Sequence, residues 1–236
     1  MRSSERHQLK EDQFAAATSQ TFTWAAEHRN ILTYGVLAIV VIAALLVGGF
    51  YYQQNREQQA SILLGDALRI YSAPVVPAGT TIPPGEIGFF SAEERAKQAS
   101  GKFLEVTDNY GRTDSGAMAK YFLGLCSQDM GDNAKAEEYL KSVAGSRRSD
   151  IGALAKNALA SLYHETGRDQ QAIDAYKSLI DKPTNTVPKA QAQMALAELY
   201  SAKDPAQARK LYEEIVKENA DNPIGNIANA RMSQLK

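Results

Sequence analysis

Leu159-Ala160-Ser161-Leu162-Tyr163-His164-Glu165-Thr166-Gly167-Arg168-Asp169-Gln170-Gln171-Ala172-Ile173-Asp174-Ala175-Tyr176 reads as two helices joined by a tight turn, and the same reading returns on either side of it. Upstream, Leu123-Gly124 leads to Gly131-Asp132, Ala136 and Leu140. Downstream, Leu196-Ala197 leads to Tyr200, Ala208 and Tyr212. Ala136, Ala172 and Ala208 are spaced by 36 residues, and so are Leu140, Tyr176 and Tyr212. Two registers at one spacing mark a stacked repeat, in which each unit buries a face against its neighbour.

The residue types suit paired helices. Small residues at Gly124, Ala160 and Ala197, and the three spaced alanines, let helix A and helix B of a unit approach. Leu140, Tyr176 and Tyr212 are expected to fill the gap toward the next unit. Gly131 and Gly167 are expected to end helix A in the left-handed conformation that glycine tolerates best. Pro183 and Pro223 mark turns where a helix cannot continue.

These residues resemble the tetratricopeptide repeat: Leu-Gly and an aromatic in helix A, then alanine, an aromatic and alanine in helix B, then proline. The chain departs from that pattern in three places. The tryptophan position near the start of helix A is Lys120 in the first unit and Lys156 in the second. The period is 36 against about 34 for the family. The third turn, Ser201 to Pro205, is one residue shorter. A degenerate earlier unit precedes these, with Gln53 to Tyr71 (Leu64-Gly65, Leu68) as helix A and Ser91 to Asp108 (Ala99, Phe103) as helix B. Between them, residues 72–90 are rich in proline and glycine and read as a non-helical insertion. Ser91 with Glu94 reads as a capping box restarting the helix. Residues 224–236, with Ile224, Ile227, Ala228 and Leu235, suit a closing helix.

Upstream of the repeats, residues 31–52 carry no charge. At roughly 1.5 Å per residue the run reaches about 33 Å, enough for a hydrocarbon core near 30 Å. Trp24 and Tyr34 flank it on one side, and Phe50, Tyr51 and Tyr52 on the other, as rings at a membrane interface do. A cleaved signal peptide fits less well. Its apolar core is shorter, and bulky Phe50-Tyr51-Tyr52 stand where cleavage would fall. The expected fold is therefore all-α: a single N-terminal transmembrane helix followed by a tetratricopeptide-like α-solenoid of helix pairs over 53–236. The tail, 1–30, is partly amphipathic through Phe14, Phe22 and Trp24, or disordered. Arg29 on one side of the span faces Arg56 and Arg69 on the other, which decides little. Arg2, Arg6 and Lys10 tilt the orientation toward a cytoplasmic N-terminus, with a cytoplasmic repeat domain as the alternative. Ala44 and Gly48 form a small-xxx-small pair.

Charge and chemistry narrow the function. The chain has 26 basic and 27 acidic residues, of which the first 52 residues hold four each, so the repeat region is nearly neutral and lacks a nucleic-acid footprint. Its lone cysteine, Cys126, reads as a small buried residue. There is no phosphate-cradling glycine loop and no nucleophile elbow. His7 and His28 precede the span while His164 follows it. The adjacent pairs Glu93-Glu94, Glu137-Glu138 and Glu213-Glu214 read as solvated helix faces. No catalytic site, metal or cofactor is expected. What remains is a surface. By the repeat register, Met118, Tyr121, Leu125 and Gln128 share the concave face with Leu154, Asn157, Ser161 and His164, and with Gln191, Met194, Glu198 and Ser201. The same side chains would equally serve as inter-repeat core.

The whole layout is similar to that of the bacterial ancillary subunits of the Sec translocon, single-span proteins with a periplasmic tetratricopeptide domain. The resemblance implies an inner-membrane protein that holds or hands over exported chains, or tethers chaperones, near the translocon. Its partners would be translocon subunits, chaperones or exported chains, with no nucleic acid and no small-molecule substrate. The alternative is a scaffold or accessory subunit of another inner-membrane complex.

Overall fold

The computed structural model describes residues 28–146 and 149–235. Among them nine helices follow one another: α1 Arg29–Tyr71, α2 Ala92–Tyr110, α3 Asp114–Asp129, α4 Asn133–Ala144, α5 Ser149–Glu165, α6 Asp169–Asp181, α7 Lys189–Ser201, α8 Pro205–Glu218 and α9 Pro223–Ser233. No strand forms among the described residues. Val75 and Phe89 make one isolated parallel bridge. The chain divides between Asn55 and Arg56 into two compact units, and α1 contributes residues to both. The amphipathic reading of Phe14, Phe22 and Trp24 lies outside the described residues.

In the first unit α1 carries the apolar run. Ile31, Leu37, Ile39, Leu45, Leu46 and Phe50 are all exposed. The helix is long and apolar enough to cross a membrane, and none of its most apolar stretch is buried among the described residues. Within the uncharged run the Thr33 hydroxyl is satisfied locally, donating to the Arg29 carbonyl at 2.7 Å.

In the second unit α3 packs on α4, α5 on α6 and α7 on α8, while α9 lies against α8. Small-on-large contacts close each hairpin from within. A Cβ added to Gly124 would lie 2.6 Å from Leu140 Cγ, so the leucine occupies the space that glycine leaves. The Tyr176 hydroxyl lies 3.2 Å from Ser161 Oγ, and that of Tyr212 lies 3.4 Å from Ser201 Oγ. Leu140 thus packs on Gly124 of its own unit and the two tyrosines reach serines of theirs. Tyr176 also approaches Glu198, and Tyr212 lies beside Arg231 and Leu235, all further along the chain. A third register, Val143, Leu179 and Ile215, repeats at the same spacing and is buried throughout.

The turns follow their glycines. Gly131 and Gly167 adopt φ of 76° and 75°, the left-handed conformation that ends α3 and α5. The third hairpin lacks a glycine there. With one residue fewer, its Lys203 and Asp204 amides both donate to the Tyr200 carbonyl. Asp204 then caps α8 through the Gln207 amide at 3.1 Å, as Asp132 caps α4 through Lys135 at 3.1 Å.

The first hairpin, residues 56–71 of α1 with α2, has a different core. Ala67, Ala96, Ala99, Phe103 and Val106 pack with Ala119, Leu123 and Cys126 of α3. Phe103 stacks on Phe122 with centroids 5.2 Å apart, and Tyr71 meets both rings edge-on. Burial pushes the Cys126 thiol up to about 12, so it behaves as an apolar filler. Between the two helices the chain doubles back on itself, with Val76 N–H on the Phe89 carbonyl at 2.8 Å and Phe89 N–H on the Pro74 carbonyl at 3.0 Å. Ser91 caps α2 through the Glu94 amide at 3.0 Å, but the Glu94 carboxylate returns to the Phe90 amide rather than to Ser91.

Candidate interaction surface

The first helix of each of the three tight hairpins carries its share of the residues assigned to the concave face, and the structure divides them by role. Tyr121 of α3, Leu154 of α5 and Met194 of α7 are half-buried and pack against the main hydrophobic core. Burial raises the Tyr121 phenol above its ordinary range. Met118, Leu125, Asn157 and Ser161 are half-buried, and Gln191 is exposed. Gln128 and Glu198 make polar links that cross from one unit to the next, and His164 holds the Asp169 that makes a third.

Those links form a sequence along the face. Gln128 of α3 donates its amide to the Glu165 carboxylate of α5 at 2.8 Å. His164 Nδ1 lies 2.6 Å from Asp169 Oδ1 at the start of α6, and the other oxygen of Asp169 pairs with Lys203 of the α7–α8 turn. Glu198 of α7 lies 3.8 Å from the Arg231 guanidinium of α9. The Lys203 ammonium, then His164, hold the Asp169 carboxyl below its usual range. The Tyr176 phenol is raised by burial first, and then by the carboxylates of Glu198 and Glu165, so the two acids converge on it from successive units. Glu198, Ser201 and Tyr212 also line a cleft of about 450 Å³ with Arg231, Gln234 and Leu235.

Sequence reading missed Glu165, Asp169, Lys203 and Arg231 at this surface. Glu165 stands 36 residues after Asp129, so the repeat spacing could have found it. Lys203 could not have been found that way, because it sits in the shortened turn. Asp129 itself is tied down at the far end of the face. Arg95 of α2 approaches it at 3.8 Å and the Tyr71 hydroxyl bonds to it, while its own burial raises its carboxyl.

A second set of contacts joins the first and second tight hairpins. Glu137 of α4 takes Lys141 at 2.6 Å and Arg168 at 2.7 Å, and Arg168 also covers the Tyr163 ring at 4.5 Å. The Lys141 hydrogen bond comes first in holding Glu137 below the usual glutamate range. Arg168 stands where the other two hairpins have a capping aspartate, and its side chain serves the preceding unit instead.

A family model described as a tetratricopeptide repeat-like domain matches residues 23–177, and one described as a tetratricopeptide repeat matches residues 191–222. The first runs through the apolar helix and the first two tight hairpins, and the second covers α7 and α8. No curated protein and no solved structure matches the chain.

Proposed function

The chain belongs to the tetratricopeptide repeat-like domain family, and we propose that it is a membrane-anchored protein–protein interaction module. Repeats of this kind present extended surfaces to other proteins, which leaves the anchor and the partner to be argued. The observation that carries the anchor is the exposure of the apolar run on every side of α1. Ile31, Leu45 and Leu46 are 67%, 70% and 70% exposed. A helix that is apolar all round needs either a protein interior or lipid, and none of the described residues covers this one. The family match begins at residue 23, so it takes in that run together with the repeats.

The span is read as residues 31–52, with the N-terminus cytoplasmic and residues 53–236 periplasmic at a bacterial inner membrane. The partner face is the A-helix surface bearing Tyr121, Leu125, Gln128, Asn157, Ser161, His164, Gln191, Met194 and Glu198. The layout supports a role beside the Sec translocon, assisting exported chains or chaperones. Affinity purification of the full chain from solubilised membranes tests this. Recovery of translocon and chaperone subunits is the expected result, and one stoichiometric complex without them sinks it in favour of a scaffold of another inner-membrane assembly. Protease added to spheroplasts is expected to digest residues 53–236, and their protection would reverse the orientation.

A further inference from the structure

We propose that a cleft on the edge of the solenoid, beside Lys156, binds carboxylate groups of an acidic segment on a partner protein. The cleft measures about 510 Å³ and is lined by Lys156 and Asp150 of α5, Ser178 of α6, and Lys182, Thr184 and Asn185 of the α6–α7 turn. It opens where the repeat departs from its pattern. Lys156 occupies the position at which that pattern has a tryptophan, and a lysine stem leaves open the volume that an indole would fill. The Lys156 ammonium is half-buried and donates to Ser178 Oγ at 3.0 Å. Among the described residues no carboxylate comes within ion-pairing distance of either Lys156 or Lys182. Among the described lining residues two are lysines, Lys156 and Lys182, and one is acidic, Asp150, so their net charge is positive.

The wall opposite Lys156 is built. The Thr186 hydroxyl donates to the Asp150 carbonyl at 2.8 Å, and the Thr184 amide donates to the Val187 carbonyl at 3.1 Å. The Val187 amide returns to Thr184 Oγ1 at 3.1 Å, and the Val187 side chain is fully buried. A turn tied at both ends holds Thr184, Asn185 and Lys182 in place before any ligand arrives, which lowers the ordering cost of binding. The Ser178 hydroxyl, which accepts from Lys156, and the Asn185 amide supply donors beside the lysines. The cleft is open on one side, which suits side chains projecting from a passing chain. Carboxylates and phosphates share this chemistry. The half-buried ammonium flanked by short donors favours planar carboxylates carried on a chain, and the test separates the two.

The full chain in detergent micelles is titrated with a fluorescently labelled N-acetyl tetra-glutamate amide, with tetra-serine as the neutral control, and binding is read by anisotropy. Tetra-glutamate is expected to bind and tetra-serine not. Lys156→Gln is expected to weaken binding about tenfold, the loss of one charge-assisted hydrogen bond. Lys156→Trp, which refills the cleft, is expected to abolish binding with helicity and thermal midpoint retained. If Lys156→Trp does not fold, Lys156→Gln and Lys182→Gln carry the test alone. Equal binding by wild type and both glutamine variants overturns the proposal. So does displacement of tetra-glutamate by inorganic phosphate at matched charge concentration, which would make the cleft a site for small anions.

Discussion

In the α5–α6 hairpin three residues, Thr166 to Arg168, join the helices, and Gly167 makes the turn at φ of 75°. The helices of the first hairpin are joined by Ser72 to Ser91 instead, and no short turn brings them together. Local chemistry closes the later hairpins: a glycine turn or a short turn, a capping aspartate or its substitute, and a small residue opposite a large one. The first hairpin is closed by groups brought from far along the chain. Arg95 of α2 donates to the Ala73 carbonyl at 3.4 Å, covers the Tyr71 ring at 5.4 Å and reaches Asp129 of α3. Glu57 of α1 accepts the Asp114 and Ser115 amides at 2.7 and 3.0 Å and the Ser115 hydroxyl at 2.6 Å, so one helix caps the start of another. Arg56 donates to the Asn109 carbonyl, and Tyr110 donates to Gln59 at 3.0 Å. A repeat that departs from its pattern can keep its packing if long-range contacts replace the short-range ones.

The sharpest way to break that comparison is to empty the first core. Phe103 is fully buried, and Phe103→Ala should destabilise the first hairpin by about 3–5 kcal/mol. Because units in a stacked repeat contact only their neighbours, the loss should stay local. Amide exchange should quicken across residues 60–71 and α2, with α7 and α8 nearly unchanged. Leu179→Ala in α6 should produce the opposite map, at about 2–5 kcal/mol. Uniform loss of protection in both variants would mean that the two hydrophobic cores behave as one.

A smaller effect separates long-range capping from local capping. Glu57→Ala removes three hydrogen bonds from the start of α3 and should cost about 1–2 kcal/mol. Asp204→Ala removes a local cap from α8 and should cost about 1 kcal/mol. Urea midpoints of the two variants, compared with wild type at unchanged slope, check the ranking. Equal midpoints would mean that Thr113, which accepts the Gly116 amide at 2.9 Å, caps α3 sufficiently alone.

The same contrast explains which parts of the molecule the sequence discloses. Registers at Ala136/Ala172/Ala208 and Leu140/Tyr176/Tyr212 are readable because every unit solves the same packing problem with the same residues. The third register, Val143/Leu179/Ile215, repeats at the same spacing, but these aliphatic residues stand out less from their neighbours than a tyrosine or a spaced alanine does. The direction in which Leu140 packs is not readable, since it depends on the depth of the groove at Gly124. The ties of the 72–90 insertion are also invisible, because Arg95, Ala73 and Asp129 have no fixed spacing that chemistry demands. On the candidate surface, the register points to Gln128 and His164, but their partners Glu165 and Asp169 are known only once α5 and α6 are placed. Glu57 stands 57 residues before Asp114, and no local rule connects a glutamate to a helix start at that distance.

The smallest effect concerns the link between the second and third tight hairpins, and its pH dependence has a definite sign. Asp169 is held below its ordinary value by Lys203 and His164, so its folded pKa lies under its unfolded one. For a carboxyl depressed in this way the contribution to stability is fully present above the unfolded pKa, about 4. It is lost as the pH falls through the folded pKa, because the unfolded chain then binds the proton more readily. Asp169→Asn should therefore lower the urea midpoint modestly at pH 6, and the gap to wild type should close as the pH is brought below about 4. Asp132→Ala offers the matching local case. Its carboxyl is lowered by Lys135 within the same turn of α4, so its loss should fray one helix. If the Asp169 link instead couples two units, Asp169→Asn should speed amide exchange at the start of α6 and in the α7–α8 turn together. A change confined to α6 would reduce Asp169 to a local contact, and the second and third tight hairpins would then be joined chiefly through their buried apolar residues.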